Sequence, residues 1–250
     1  METNGDRPAI ELHQVHKAFG QQTVLNGVDL TVHSRETVAV LGKSGAGKSV
    51  LLKLIVGLQK PDSGTIQIHG QATSGLDQDS LDAIRMKVGY LFQEGALYDS
   101  LTIEENVAFP LRQHRDELSD ADVRKRVHEL LAVVGMDKDA AKRPADISGG
   151  MKKRVGLARA LALEPDIMLF DEPTSGLDPI TAGEIEELMV KLKKERAIAS
   201  VLVTHDVHGA RAVADRAALI NDGAIVAEGT FDELARSQEP FVTQFLGKDR

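Results

Sequence analysis

Residues 42–49 of this chain have the types and spacing of a site that binds phosphate groups. The segment reads GKSGAGKS and fits the pattern G-x-x-x-x-G-K-[ST] at every fixed position. Glycines at these positions let backbone N–H groups point at phosphate oxygens beside the positive N-terminus of a helix. Lys48 is predicted to reach the β- and γ-phosphates of a nucleoside triphosphate, and the Ser49 hydroxyl to ligate Mg²⁺. We call this segment the cradle; it consists of Gly42, Lys43, Ser44, Gly45, Ala46, Gly47, Lys48 and Ser49.

A strand and a helix are predicted on either side of the cradle. Residues 37–41 form a continuous apolar, β-prone run, which is typical of a buried parallel strand. Residues 50–56 have helical character, and Gly57 is the predicted stop. The alternative, a glycine-rich turn without a ligand, fits this strand–turn–helix context poorly.

Two carboxylates follow a second apolar run, at residues 167–170. We predict that Asp171 belongs to the Mg²⁺ shell and that Glu172 polarises the attacking water as a general base. Two acids after a strand are by themselves more often a solvated turn. Their combination with the cradle, and with the sequence PTSGLD at residues 173–178, favours the catalytic interpretation.

His205 ends a third β-prone run, at residues 200–204. At the C-terminal end of such a strand it would face the ligand crevice of an open α/β sheet. There it could bind the γ-phosphate and orient the water. A lone histidine is usually structural, but its position after the carboxylate strand favours a catalytic role here.

The elements that must position these groups follow from the pattern of apolar residues. Period-two alternation at residues 10–13, 28–32 and 65–69 predicts an antiparallel edge sheet beside the core that carries the cradle. A helical section is predicted from about residue 80 to residue 145, with helix starts at Thr102 and Ser119.

The last part of the chain returns to an α/β pattern. Asp222-Gly223 is a good hairpin turn between two short strands. Phe241 and Phe245 share a helix face at i, i+4 spacing. That helix either closes its own core or docks on a neighbouring subunit.

Ser148-Gly149-Gly150 begins a helix predicted over residues 151–161. Ser148 is a suitable N-cap, and the two glycines leave backbone N–H groups free for an anion. Alone, the tripeptide would indicate only a helix cap. Together with the cradle, the carboxylates and the histidine, it makes the chain resemble the nucleotide-binding subunit of ABC transporters, from about residue 10 to residue 246.

The resemblance implies an α/β fold of the P-loop NTPase type. Its core has a mostly parallel sheet, an N-terminal antiparallel β subdomain and an inserted helical subdomain. We expect one ABC ATPase domain over residues 1–250. Within it, residues 9–93 and 147–246 would form the RecA-like core with its β lobe, and about residues 94–146 the helical signature subdomain.

The resemblance also assigns roles that spacing alone does not. Phe19 matches the aromatic residue that stacks on adenine, where many members have tyrosine. Gln93 matches the glutamine that contacts Mg²⁺ and water and begins the segment facing the membrane partner. Residues 148–150 would bind the γ-phosphate held by the opposite subunit, and Asp178 would communicate across that homodimer. ATP and Mg²⁺ are the implied cofactors.

One residue departs from the usual ABC transporter pattern, and this departure indicates one branch of the family. The usual signature has glutamine after Gly-Gly, whereas this chain has Met151, which lacks the amide hydrogen bonds. Ser-Gly-Gly-Met followed by basic residues looks like the Mla-type ATPases of MCE-associated lipid transport, as do residues 92–111 and 178–182. This likeness implies phospholipid transport through a separate integral-membrane permease, with an MCE-type lipid-binding protein and accessory subunits as partners.

Charge and composition limit the class of protein. The formal net charge is −8, from 30 basic and 38 acidic residues, which argues against nucleic acid as a partner. The chain has no cysteine, so disulfides and thiolate metal sites are excluded. Residues 1–6 are polar and unlike a secretory signal, and no apolar run approaches roughly 18 residues. We expect a cytoplasmic protein, peripheral on the cytoplasmic face of the inner membrane.

Three alternatives use the same residues. The chain could serve an ABC transporter of a polar solute, which would differ only in its permease. It could be a non-transporting ABC regulator of a membrane complex. A chromosome or DNA-repair ATPase is disfavoured, because the stretch between cradle and signature has no room for a long coiled coil.

Overall fold

Residues 8–247 of the protein, described by a computed structural model, form two β-sheets with helices packed around them. The strands are β1 (Pro8–Phe19), β2 (Gln22–His33), β3 (Thr37–Leu41), β4 (Ser63–Ile68), β5 (Gln71–Ala72), β6 (Val88–Leu91), β7 (Ile167–Asp171), β8 (Ala199–Thr204), β9 (Arg216–Asn221) and β10 (Ala224–Gly229). The helices are α1 (Lys48–Ile55), α2 (Gln78–Arg85), α3 (Ile103–His114), α4 (Asp120–Val133), α5 (Gly149–Ala160), α6 (Pro179–Arg196), α7 (Val207–Val213), α8 (Phe231–Leu234) and α9 (Pro240–Leu246). Residues 1–6, whose polarity argued against a secretory signal, lie outside the described residues.

A six-stranded sheet carries the cradle and the carboxylates. Its strand order is β10-β9-β3-β8-β7-β6, and all neighbours are parallel except the β9–β10 hairpin. β3, β7 and β8 are buried along their whole length because both faces of the sheet are covered. The predicted hairpin turn is confirmed, with Asp222 and Gly223 both at positive φ.

The predicted antiparallel sheet near the N-terminus is also confirmed, with the order β2-β1-β4-β5. Helix α1 lies between the two sheets. Its apolar face, including Leu51 and Ile55, joins Ile10 and Leu12 of β1 and Val40 of β3 in one buried cluster. The helix that follows the cradle is therefore held in place from both sides.

Helices α3, α4 and α5 pack together on the far side of the six-stranded sheet. Both predicted helix starts in this section are confirmed. Thr102 accepts a hydrogen bond from the Glu105 N–H, and the Glu105 carboxylate accepts one from the Thr102 N–H at 2.7 Å. The Ser119 hydroxyl caps α4 in the same region. Both α3 and α4 fall within residues 94–146, the stretch proposed as a helical subdomain.

The expectation of a helical section from about residue 80 to residue 145 is wrong at one place. β6 interrupts it and pairs with β7 at the edge of the parallel sheet. A four-residue apolar segment carries too little periodicity to distinguish strand from helix, so tertiary pairing decides its conformation. Over residues 8–247, no helix combines the length and the apolar character needed to cross a membrane.

Candidate active site

A cleft of about 740 Å³ opens at the carboxyl ends of the parallel strands. The cradle forms one side of it. Gln93, Glu172 and His205, from three different loops, reach it from the other side, and Phe245 of α9 forms part of its wall. The rule that parallel strands bring their carboxyl ends to one edge accounts for this convergence of distant residues.

The cradle is pressed closely against neighbouring strands, so two of its positions need glycine. Gly47 has φ 95°, and a Cβ there would lie 2.8 Å from the Val24 carbonyl oxygen of β2. A Cβ on Gly42 would lie 2.5 Å from the Ile220 carbonyl oxygen of β9. Because backbone occupies these spaces, neither contact could be relieved by a side-chain rotation.

Lys48 turns back over the cradle and is only 6% exposed. Its Nζ donates to the Gly42 carbonyl at 2.8 Å and to the Lys43 carbonyl at 3.1 Å. The same ammonium lies 3.5 Å from Oε1 of Glu172. A buried ammonium that faces a cleft, beside a glycine-rich loop at the start of a helix, fits the negative charge of nucleotide phosphates.

Ser49 and Asp171 meet directly, although 122 positions separate them in the sequence. The Ser49 hydroxyl donates to Oδ1 of Asp171 at 2.7 Å, and the carboxylate is almost fully buried. Hydroxyl and carboxylate oxygens are the ligands that Mg²⁺ prefers, with phosphate and water filling its other positions. This donor set fits Mg²⁺. Across residues 8–247, no group of three or more His, Asp or Glu side chains is arranged to hold a metal unaided.

Tyr90, which the sequence analysis did not single out, also contacts Asp171. Its hydroxyl donates to Oδ2 at 3.1 Å. Burial, followed by the charge of Asp171 and the hydrogen bond to it, raises the pKa of Tyr90 far above its usual range. The phenol is therefore a neutral donor at physiological pH.

Glu172 has a backbone conformation that is unusual for its type. Its φ is 48°, in the left-handed region that costs non-glycine residues free energy and that recurs at active sites. Its N–H donates to the Val203 carbonyl at 2.9 Å, which attaches it to β8. Oε2 of the carboxylate lies 2.9 Å from Nδ1 of His205 and accepts from the Thr204 hydroxyl at 3.2 Å. Glu172 and His205, which the sequence predicts as the general base and as the residue that orients the attacking water, are thus adjacent.

Lys153 is a second residue that the sequence analysis did not identify. It projects from α5, is 5% exposed, and donates to the Glu172 carbonyl at 3.2 Å and the Ser175 carbonyl at 2.6 Å. Burial lowers the pKa of Lys153, and the charge of Glu172 opposes that shift. Lys153 therefore connects the signature helix to the left-handed turn that carries Glu172.

The loop after Gln93 is attached to the same helix. Arg159 of α5 donates to the Gly95 and Ala96 carbonyls, both at 2.9 Å. Gly95 has φ 77°, and a Cβ there would lie 2.8 Å from the Lys152 carbonyl oxygen. A shift of α5 would accordingly move the loop that begins at Gln93.

The signature residues are not part of the cleft formed by their own copy. The Ser148 hydroxyl caps α5 by accepting from the Met151 N–H at 3.3 Å. Ser148 and Gly149 are exposed, with open space beside Gly149. Gly150 is buried, and a Cβ there would lie 2.4 Å from Cγ2 of Thr181. Among the described residues, these three do not line the cleft that contains the cradle.

Asp178 and Phe19 also lie outside the cleft lining. Asp178 caps α6, accepting from the N–H groups of Ile180 and Thr181 at 3.1 Å each. Hydrogen bonds from Thr181, first from its side chain, lower the pKa of Asp178. Phe19 is 47% exposed at the end of β1, and Nζ of Lys17 lies 5.4 Å from its ring centroid. An exposed ring at this edge is available for stacking.

Comparison with known proteins gives a consistent result. The family model described as ABC transporter matches residues 25–175. The sulfate/thiosulfate import ATP-binding protein CysA of Pectobacterium atrosepticum is 42% identical over 96% of this chain and 72% of its own length. The methionine import ATP-binding protein MetN of Brucella abortus is 39% identical over 96% of this chain. The chain spans only 64% of that relative.

A solved structure agrees with the fold. The ATP-binding cassette MJ0796, in a dimeric post-hydrolysis state bound to ADP and Pi, superposes with a TM-score of 0.82. It is 37% identical, and the match covers 88% of this chain and 98% of that one.

Proposed function

Since the chain belongs to the ABC transporter family as an ATPase subunit that uses ATP with Mg²⁺, we propose that it powers the movement of phospholipid, or a related apolar lipid, between bacterial membranes. A separate permease would contain the transport path, and an MCE-type lipid-binding protein and accessory subunits would complete the complex. The ATPase would then be peripheral, on the cytoplasmic face of the inner membrane.

The observation that carries this proposal is the segment at residues 93–98, QEGALY, in its structural setting. It borders a second cleft, of about 440 Å³, that we call the docking groove; Phe92, Tyr98, Phe109 and Pro110 line it. The rings of Tyr98 and Phe109 lie 4.8 Å apart and are 47% and 36% exposed as residues. Exposed aromatic side chains beside a groove are typical of an interface with another protein. Met151 and the basic residues after it also resemble the lipid-transport ATPases, and they support the same proposal.

Transport of a polar solute is the second candidate. It is favoured by the relatives, whose names specify import of sulfate, thiosulfate and methionine. A non-transporting regulator of a membrane complex would use the same ATPase site. The three possibilities differ in the membrane partner rather than in the residues of the cleft.

Hydrolysis in this proposal uses the residues gathered at the cleft. Lys48 binds the β- and γ-phosphates. Ser49, Asp171 and Gln93 would hold Mg²⁺, whose charge would neutralise the negative charge that develops on the phosphates. Glu172 accepts a proton from the attacking water, and His205, 2.9 Å from its carboxylate, helps to orient that water. The close packing of these groups favours catalysis by positioning.

Two copies of the chain are needed to complete each site in this proposal. The exposed Ser148 and Gly149 cannot serve the cleft of their own copy without rearrangement, because they do not line it. A second copy placed head to tail would bring them to the γ-phosphate. Phe19 would stack on adenine, and Asp178 would lie near the contact between copies.

The lipid proposal is tested by purifying the intact complex from native membranes through a tag on this chain, then identifying its proteins and lipids by mass spectrometry. A multi-span permease, an MCE-type protein and enriched phospholipid would support it. A permease recovered with a solute-binding protein, and without retained lipid, would favour the polar-solute alternative. A membrane partner with no transport path would favour the regulator.

A further inference from the structure

Tyr90 lines the docking groove and also contacts Asp171, the predicted Mg²⁺ ligand. It lies on β6, two positions before Phe92. Its ring lines the groove and stacks on that of Phe92, with centroids 4.0 Å apart and planes inclined by 19°. Its hydroxyl, at the opposite end of the same ring, donates to Asp171.

The two oxygens of Asp171 are thereby divided between two donors. Oδ1 accepts from the Ser49 hydroxyl at 2.7 Å, and Oδ2 accepts from Tyr90 at 3.1 Å. Rotation of a carboxylate about its last torsion is otherwise soft. A donor on Oδ2 holds the plane of the group, so that Oδ1 faces Ser49 and the cleft. Hydrogen bonds to a charged acceptor are stronger than those between neutral groups, so the bond from Tyr90 is suited to holding the carboxylate in this orientation.

We propose that Phe92, Tyr90 and Asp171 form a relay in which Tyr90 is a positioning residue for the Mg²⁺ ligand and Phe92 fixes its ring. A segment bound in the docking groove would contact the stacked rings of Tyr90 and Phe92. It would thereby alter the hydrogen bond by which Tyr90 orients Asp171. This last step rests on the proposed docking of a permease. The positioning of Asp171 does not, and it can be tested on the purified chain alone.

The test compares Tyr90→Phe with Tyr98→Phe, since these are the two tyrosines of the chain. Each variant loses one phenolic hydroxyl, but within residues 8–247 the Tyr98 hydroxyl makes no hydrogen bond. Calorimetry measures the dissociation constant of the ATP analogue AMP-PNP, once with Mg²⁺ and once with EDTA. We expect Tyr90→Phe to weaken binding by about 3- to 10-fold with Mg²⁺ and to leave the EDTA value unchanged. Tyr98→Phe should match the wild type in both conditions.

A merely structural role for Tyr90 would weaken binding equally in both conditions, and that result would overturn the proposal, as would no change in either. If Tyr90→Phe does not fold, the Tyr98→Phe chain still permits a test. The chain has no tryptophan, so Tyr90 is then its only emitting tyrosine. Its fluorescence should change when Mg²⁺ is added to the chain loaded with AMP-PNP, and constant emission would overturn the proposed coupling of Tyr90 to the Mg²⁺ ligand Asp171.

Phe92→Ala tests the other end of the relay. It should reproduce part of the Mg²⁺-specific loss in the wild-type background and add nothing in the Tyr90→Phe background, because the effect passes through Tyr90. Additive losses would mean that Phe92 acts by another route, such as the adjacent Gln93, and would overturn the relay. Failure of the permease proposal would leave both of these results unaffected.

Discussion

At the scale of single residues, Glu172 combines a strained backbone with the carboxylate that we propose as the general base. Glu172→Gln keeps the shape of the side chain and its hydrogen bonds to the β8 end while removing the negative charge. We expect hydrolysis to fall by about 10²- to 10⁴-fold, with nucleotide affinity retained and an ATP-bound dimer accumulating. Phosphate release and size-exclusion chromatography with ATP measure the two effects.

Glu164→Gln is the matched control for that variant. Glu164 also has a positive φ, of 56°, but it is exposed and forms an ion pair with Arg126, away from the cleft. It should keep wild-type turnover. Wild-type turnover in Glu172→Gln would remove Glu172 from the role of base.

Lys153 supports Glu172 through the backbone rather than through the carboxylate. Lys153→Met removes the donor to the Glu172 and Ser175 carbonyls and leaves both without that partner. We expect kcat to fall about 10-fold with little change in ATP affinity, because the turn that aims the base becomes less well defined. Lys153→Gln, which still donates an N–H, should recover part of the rate. Steady-state kinetics give kcat and KM separately.

The neighbouring Lys152→Met provides the control for lost charge. In the described part of the chain, the Lys152 side chain makes no hydrogen bond or ion pair, so turnover should be unchanged. Equal losses in both lysine variants would show that the net charge of α5 matters rather than the contact of Lys153.

The residues of the cleft differ in how far they could be predicted from sequence. The cradle, Glu172 and His205 follow strand-like runs, so the meeting of parallel strand ends brings them together predictably. Nothing in the sequence indicates that Lys153 is buried while the lysine before it is not, because that depends on how α5 packs beneath the turn after β7. Likewise, the positive φ of Glu172 arises from its attachment to β8 and has no local signature. The catalytic roles themselves stay predictions.

At the scale of elements, the cradle depends on the strands that press against it. Gly45 and Gly47 both have positive φ, at 80° and 95°. A Cβ on Gly45 would meet open space, whereas one on Gly47 would meet Val24 and Leu25 of β2. We expect Gly45→Ala to lower the free energy of unfolding by about 1 kcal/mol, from backbone strain alone. Gly47→Ala should lower it by about 3 kcal/mol, because overpacking adds to the strain.

Urea unfolding without nucleotide measures both values, since nucleotide binding would otherwise add its own stabilisation. The pair serves as its own control, because the residue type, the substitution and the loop are the same. Equal losses would show that β2 yields to the added methyl group and does not hold the cradle.

Element prediction succeeded where a cap, a turn or a clear apolar pattern marks the element, and it failed at β6, where pairing decides. The caps at Thr102 and Ser119 satisfy helix N–H groups within three residues, so sequence alone predicts them. β6 depends on an edge of the sheet supplied by β7, about 80 positions later in the chain. This strand carries Tyr90 and leads to Gln93, so the same omission concealed the contact between Tyr90 and Asp171.

At the scale of the whole molecule, one copy presents its two predicted anion-binding segments at separate places. The cradle faces a cleft, and the N-terminus of α5 is exposed elsewhere, with Gly149 open to solvent. Arg159 and Lys153 attach α5 to the loop after Gln93 and to the turn of Glu172. Closing a second copy against α5 would therefore act on the catalytic groups of the first as well as complete the partner's site.

Composite sites predict that two inactive variants can restore one another. Lys48→Ala removes the ammonium that we predict to bind phosphate, and Ser148→Arg blocks the exposed start of α5. Each variant alone has two damaged sites per homodimer. In a mixed dimer, one site receives both lesions and the other receives neither, because cradle and signature come from opposite copies. An equal mixture should regain about one quarter of wild-type hydrolysis if the two sites act independently and copies exchange at random.

The control mixes Lys48→Ala with the double variant Lys48→Ala/Ser148→Arg, in which no site has an intact cradle, so activity should stay absent. Recovery in that control, or no recovery in the first mixture despite mixed dimers found by differential tagging, would contradict the head-to-tail arrangement of independent sites.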